Sequence, residues 1–156
     1  MSKRLFALLV GALTLLALVA AGCGGGGDSS GGEALTKAEF IKQGDEICKQ
    51  GEAQLEEEAE EFAEDNNVDT ENPTKAQQEE VIKTVVAPAL RKQAEELGEL
   101  GAPSGEEEAA EEIVTSLEEG SDEMEEDPGK LLEGNNPVEK ASTLAKEFGF
   151  KECGNE

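Results

Sequence analysis

The chain has 156 residues, with 37 acids against 13 bases, no His, no Trp, no Tyr and five Phe. The missing His removes the commonest general base, the Ser-His-Asp and Cys-His arrangements and every imidazole metal ligand. The acid excess repels nucleic-acid phosphates and anionic lipid headgroups, so no nucleic acid is expected as a partner.

Residues 1–22 read as a secretory signal: basic Lys3 and Arg4, an apolar run beginning at Leu5, and a small-residue exit. The run is near the lower limit for spanning a bilayer, so a signal core fits it better than an uncleaved membrane anchor. Ala20-Ala21-Gly22-Cys23 resembles the lipobox of lipoprotein signal peptidase, with Ala20 where that pattern prefers Leu. The resemblance implies that Cys23 takes a diacylglyceryl group and becomes the new N-terminus, held to a cell membrane on its extracytoplasmic face. The alternative is ordinary cleavage after Val19-Ala20-Ala21, which would release a secreted soluble protein. Residues 23–34 form the tether: Gly24 and its followers are almost pure Gly and Ser with Asp28, and ten such residues span roughly 16–19 Å. Without residues 1–22 the chain keeps 37 acids and 11 bases, a formal charge of −26.

Residues 35–156 then read as one acidic helical domain. The first helix opens at Thr36 with Glu39 as capping-box partner, and Leu35 and Phe40 as its hydrophobic staple. Phe40, Ile41, Gly44, Ile47, Cys48, Gly51, Leu55, Ala59 and Phe62 recur at steps of three and four, and the stripe runs out near Asp65-Asn66-Asn67. A second helix starts at Pro73-Thr74 with Gln77. Its stripe is Ile82, Val85, Val86, Ala89, Leu90, Ala94 (with Gln93 beside it) and Leu97, and it stops before Pro103. Pro88 lies inside and predicts a bend over residues 84–88.

The third helix is predicted from Ser104 as cap with Glu107, with a face of Ala110, Ile113, Val114, Leu117 and Met124, stopping at Asp127-Pro128-Gly129. A linking stretch with Leu131 and Leu132 follows. Asn136-Pro137-Val138-Glu139 opens the fourth, lined by Val138, Ala141, Leu144, Ala145 and Phe148, with Gly149 as a left-handed stop. Four amphipathic helices with short loops predict an all-α, up-down four-helix bundle. The acid runs at 56–65 and 118–127 fall at helix C-termini, where they oppose the macrodipole and favour fraying.

Once Cys23 is assigned to lipid, Cys48 and Cys153 remain as an even pair in an exported chain, which predicts a disulfide. A redox thiol pair would call for C-x-x-C spacing, which is absent. Asp65-Asn66-Asn67-Val68-Asp69 offers oxygen ligands at alternate positions, making Asp65, Asn67 and Asp69 a weak metal candidate. Thr70 stands where a calcium loop needs Gly, and Ala76 where a bidentate Glu should close it. The Glu clusters lack the aromatic lining of a sugar cleft and read as solvated helix faces.

Leu35-Thr36-Lys37-Ala38-Glu39-Phe40-Ile41, Asp45-Glu46-Ile47-Cys48 and Phe148-Gly149-Phe150-Lys151-Glu152-Cys153-Gly154 resemble the paired ends of a group of small, uncharacterised lipoproteins from high-GC Gram-positive bacteria. The resemblance implies the same address and the same disulfide, and no activity. The sequence therefore leads to a non-catalytic envelope module that needs no cofactor. Its membrane contact is the N-terminal lipid, and its partner is an envelope protein or wall component. The alternative is a weak divalent-cation or cationic-ligand binder acting through the acidic helix faces.

Overall fold

The computed structural model describes residues 34–154. The chain divides into residues 1–31 and residues 32–156, and the second unit carries all the described structure. No strand occurs among the described residues. The order is α1 (Lys37–Asp65), α2 (Lys75–Val81), a π-helical turn (Ile82–Val86), α3 (Ala87–Glu99), α4 (Glu107–Glu126), α5 (Gly129–Leu132) and α6 (Glu139–Phe148). The long helices pack in succession, α1 on α3, α3 on α4 and α4 on α6, the neighbour order of an up-down four-helix bundle.

The start of α1 follows from its first residues. The Glu39 N–H donates to Thr36 Oγ1 at 3.3 Å while the Thr36 N–H donates to Glu39 Oε2 at 3.0 Å, closing the capping box. The Thr36 hydroxyl donates to the same carboxylate at 2.6 Å, and these bonds hold the Glu39 carboxyl below its usual range. Leu35 packs beside Phe40 in the core, completing the staple. At the far end Asn67 takes the left-handed conformation, φ 49°. Val68 N–H then reaches the Ala63 carbonyl at 2.9 Å, and Asn67 N–H the Glu64 carbonyl at 3.3 Å. Those two bonds make a Schellman stop.

The second predicted helix is α2, the π turn and α3 in one run. Thr74 and Gln77 close a second capping box. Pro88 has no N–H to give the Thr84 carbonyl, so the preceding turn widens, and Ala87 N–H bonds Ile82 five residues back. The extra residue changes the face. Ala87, not Ala89, is fully buried beside Ile82 and Leu90, and Ala89 is only half-buried. The predicted bend is thus a π turn, and beyond it Leu90, Ala94 and Leu97 are buried as the stripe predicts, with Gln93 beside them.

Three further expectations need correction. Ser104 does not cap α4: it is exposed in a turn, because Gly105 adopts φ 84° and donates its own N–H to Glu107 Oε2 at 2.9 Å. The helix begins at Glu107, and the Gly105 bond lowers the Glu107 carboxyl pKa. The stretch around Leu131 and Leu132 is not a plain linker but the single helical turn α5. Asn136 is not the cap of α6, which starts at Glu139 with Val138 before it; its Oδ1 instead accepts from Val138 N–H at 3.1 Å in the turn that leads into the helix. Gly149, φ 119°, ends α6, with Phe150 N–H on the Ala145 carbonyl and Gly149 N–H on that of Lys146.

The core has two centres. Phe40, Leu97, Ala110, Ile113, Ala145, Phe148 and Phe150 fill one; Ile82, Ala87, Leu90, Met124 and Val138 fill the other. Leu117 packs against both. Phe40 meets Phe148 and Phe150 edge-on at 5.7 and 5.8 Å, and those two stack at 5.6 Å. Lys37 Nζ sits 4.3 Å above the Phe148 ring. Beyond Cys48 the stripe residues Gly51, Leu55, Ala59 and Phe62 are only half-buried. The 29-residue α1 extends about 43 Å against about 15 Å for the 10-residue α6, so α6 covers only part of it.

Candidate functional site

One end of the α1–α6 seam is locked. Cys48 and Cys153 form a disulfide with Cα atoms 5.1 Å apart across 105 residues of sequence. Asp45 Oδ1, one turn before Cys48, accepts from the backbone N–H groups of Lys151 and Glu152, both at 2.9 Å. The tail is therefore pinned to α1 by a covalent bond and by a carboxylate. Gly44 makes the approach possible, since a β-carbon there would stand against the Phe150 ring and 2.9 Å from Leu97 Cδ2.

Past this lock the short α6 leaves a cleft of about 90 Å³. Leu90, Leu97 and Ile113 lie among its lining residues, with Leu55 on α1 and Val138 just before α6. Four polar residues join them: Glu52 from α1, Gln93 from α3, Ser142 from α6 and Glu152 from the tail. Glu52 lies one turn after Cys48 and Glu152 directly before Cys153. The disulfide thus brings to one cleft two acidic residues, both exposed, that are far apart in sequence.

Gln93 is the unusual member. It is 9% exposed and is among the few buried polar residues. Among the described residues the buried side-chain polar atom without a partner is Ser116 Oγ on α4, not the Gln93 amide. Gln93 lies across α1 at Gly51, where a β-carbon would come within 2.5 Å of Gln93 Cδ. A larger, more open hollow of about 260 Å³ lies between Phe40, Gly98, Ala102 and Val114, with Glu107 and Glu111 at its edge. It holds no such buried polar group, so the smaller cleft is the better candidate.

Of the residues singled out in the sequence, the structure joins Cys48 and Cys153. Both sulfurs are consumed in that bond, so neither offers a thiol. Asp65, Asn67 and Asp69 serve the end of α1 and the turn after it: Asn67 supplies the left-handed stop, and Asp69 Oδ1 accepts from Glu71 N–H at 3.1 Å. Among the described residues no three His, Cys, Asp or Glu side chains converge as a metal site. Cys23 and the signal segment lie outside the described residues, and within them no helix is long and apolar enough to cross a membrane. Gln93 was visible in the sequence only as a polar residue beside a stripe position. Glu52 and Glu152 carried no signal, because only the disulfide brings them together. Comparisons with family models, curated proteins and solved structures gave no match to this chain.

Proposed function

We propose that this chain is a lipid-anchored, extracytoplasmic binding module without catalytic activity, whose binding surface is the cleft between α1 and α6. The observation that carries the reading is the cleft itself: a largely apolar hollow beside the Cys48–Cys153 lock, with Glu52, Gln93, Ser142 and Glu152 among its lining residues. Small-molecule sites have this composition, an apolar wall with a few convergent polar groups. The non-catalytic part rests on the chemistry available. The chain has no His, its paired sulfurs are oxidised, and no aromatic side chain lines the cleft to stack on a sugar. The address rests on the Ala20-Ala21-Gly22-Cys23 exit and the Gly/Ser tether, and a long-range disulfide fits an oxidising exterior.

Both halves are testable. Cys23→Ala should move the protein from the membrane fraction to the soluble fraction with its fold intact, and mass spectrometry of the wild type should show a diacylglyceryl group on Cys23. An unmodified wild-type N-terminus at Gly22 would reject the anchor and favour the secreted alternative. A photo-reactive residue in place of Leu55, beside the cleft, should crosslink to an envelope component in intact cells. The same group in place of exposed Glu57 should not; equal labelling from both positions would reject the cleft as the binding surface.

A further inference from the structure

We infer that the open hollow between α3 and the first turns of α4 seats one bulky apolar side chain from a basic segment of a protein partner. This is a second surface, and it does not rest on the cleft between α1 and α6. Gly98 carries the inference. Glycine inside a helix weakens it relative to alanine, so a helical glycine ordinarily answers to crowding or to a left-handed backbone. Crowding explains Gly44, Gly51 and Gly120. A β-carbon would stand 2.9 Å from Leu97 Cδ2 at the first, 2.5 Å from Gln93 Cδ at the second and 2.7 Å from the Pro137 carbonyl oxygen at the third. Gly98 has neither reason. It takes no positive φ, and a β-carbon there would meet only Val114 Cγ1, at the ordinary contact distance of 3.7 Å. What its bare backbone does is leave room, for Gly98 lines the hollow of about 260 Å³.

The hollow has the size and lining of a seat. Phe40, Leu97 and Ala110, all buried core residues, lie in its lining with half-buried Ala102 and Val114. Its volume exceeds the roughly 150 Å³ of an apolar cavity that takes up benzene. It falls short of the roughly 300–1,000 Å³ of sites for drug-sized ligands. One leucine, methionine or phenylalanine side chain fits that interval. Protein interfaces concentrate their energy in such anchors, a large side chain sunk in a pocket with polar groups around it. The surrounding charge selects the anchor's neighbours. Glu107 and Glu111, both exposed, stand one turn apart on α4 at the edge, and no Lys or Arg is among the described lining residues. They belong to a chain with 37 acids against 13 bases, and a field of that sign steers basic segments in and turns acidic ones away. The acids set the sign of the partner; the apolar room left by Gly98 makes the site.

The test is a titration of the full oxidised chain in nanodiscs of zwitterionic lipid, where no free detergent competes, followed by methyl NMR at Val114 and Ala102. Acetyl-Lys-Leu-Lys-amide is the probe. Acetyl-Lys-Ala-Lys-amide lacks the anchor and acetyl-Glu-Leu-Glu-amide reverses the charge, all at constant ionic strength. The probe should give saturable, one-site shifts at both methyls, the alanine peptide should bind about tenfold more weakly, and the acidic peptide should not saturate. Gly98→Leu fills the hollow and should abolish the shifts. Gly98→Ala should weaken binding severalfold while the protein becomes more stable, so its loss of binding is not a loss of fold. Glu111→Gln should weaken the probe about twofold to fivefold, the range of an exposed ion pair. Unchanged binding in the Gly98→Ala protein and in a folded Gly98→Leu protein would overturn the seat. Equal binding of the alanine peptide would reduce the effect to charge and reject the anchor. Equal binding of the acidic peptide would remove the basic partner. Saturation of the same methyls by 3-methylbutanol as tightly as by the probe would give the hollow to a small apolar molecule and overturn the protein partner.

Discussion

A methyl group at Gly44 would meet the Phe150 ring and stand 2.9 Å from Leu97 Cδ2. Two effects oppose each other there. Ala in a helix interior is favoured over Gly by about 1 kcal/mol, but forcing an extra carbon into a packed core costs typically about 1–3 kcal/mol. Phe150 is held by Phe40, Phe148 and the pinned tail, so it has little room to yield. Gly44→Ala should therefore lower stability by about 1–2 kcal/mol in urea denaturation. Gly98→Ala reverses the sign, because its new carbon meets only Val114 Cγ1 at 3.7 Å. It should gain about 0.5–1 kcal/mol, and a loss there would show that α3 tolerates no added side chain. Glu39 gives the residue scale a pH dependence. Its carboxyl pKa is lowered by the Thr36 hydroxyl and then by the Thr36 N–H. A folded-state pKa below the unfolded one means that the ionised cap stabilises above the unfolded value, near 4.3, and that this contribution fades as pH falls through the folded value. Glu39→Gln keeps the box without the titration. Its deficit relative to the wild type should be constant above about pH 5 and shrink toward pH 3; a deficit independent of pH would mean that the charge of Glu39 contributes nothing.

Among elements, the α1–tail connection carries the largest single consequence. In the chain-entropy model, closing a loop of the 105-residue separation between Cys48 and Cys153 stabilises by about 4–5 kcal/mol, and real bonds often give less. A domain with three Phe rings in its core and an α1 half-exposed beyond Cys48 has little margin, so that contribution is comparable with a whole marginal stability. Reduction with a phosphine should lower the unfolding midpoint sharply, and Cys48→Ala with Cys153→Ala should match the reduced protein. Midpoints unchanged by reduction would show that the aromatic cluster and Asp45 suffice to hold the tail. The elements that sequence reading recovered are those set by local rules. Thr36 with Glu39, Thr74 with Gln77, and Gly149 each announce a helix end within four residues, and three Cys with one assigned to lipid leave a single pairing. Ser104 misled because its caps are chosen by the backbone path: a left-handed Gly105 put the helix start beyond its reach. The π turn at Ile82–Val86 and the burial of Ala87 in place of Ala89 were hidden because a missing N–H predicts a distortion but not that it takes the form of one inserted residue. The cleft was least legible of all. It arises from the unequal lengths of α1 and α6 and from the disulfide, which no single segment encodes.

At the scale of the whole molecule, the charge is unevenly answered. Between Lys49 and Lys75 the sequence holds ten acids and no base, and α4 holds ten acids and no base of its own. Neighbours answer α4: Arg91 of α3 reaches Asp122 at 2.6 Å and Glu125 at 2.7 Å, Lys130 reaches Glu123 at 2.5 Å, and Lys140 reaches Glu112 at 3.3 Å. These bonds raise the pKa values of Arg91 and Lys130, the hydrogen bonds to Glu125 and Glu123 being the largest causes. The distal half of α1 lacks comparable help, and its last turn is acidic where the macrodipole favours cations. Added salt acts on both populations. It weakens exposed pairs worth about 0.2–1 kcal/mol each, and it relieves repulsion among a much larger number of unanswered carboxylates. Repulsion should win, so about 0.5 M sodium chloride, which cuts the Debye length to about 4 Å, should raise the melting temperature. The gain should be concentrated where the imbalance lies: amide exchange in residues 56–65 should slow more than in the middle of α4. Calcium at matched ionic strength distinguishes screening from binding. If charge density alone acts, calcium and sodium should differ only by valence, with no saturation. A stoichiometric calcium step in calorimetry would instead favour a divalent site on the acidic faces, and a melting temperature that falls with salt would show that the cross-helix and local ion pairs among the described residues outweigh the repulsion they sit in.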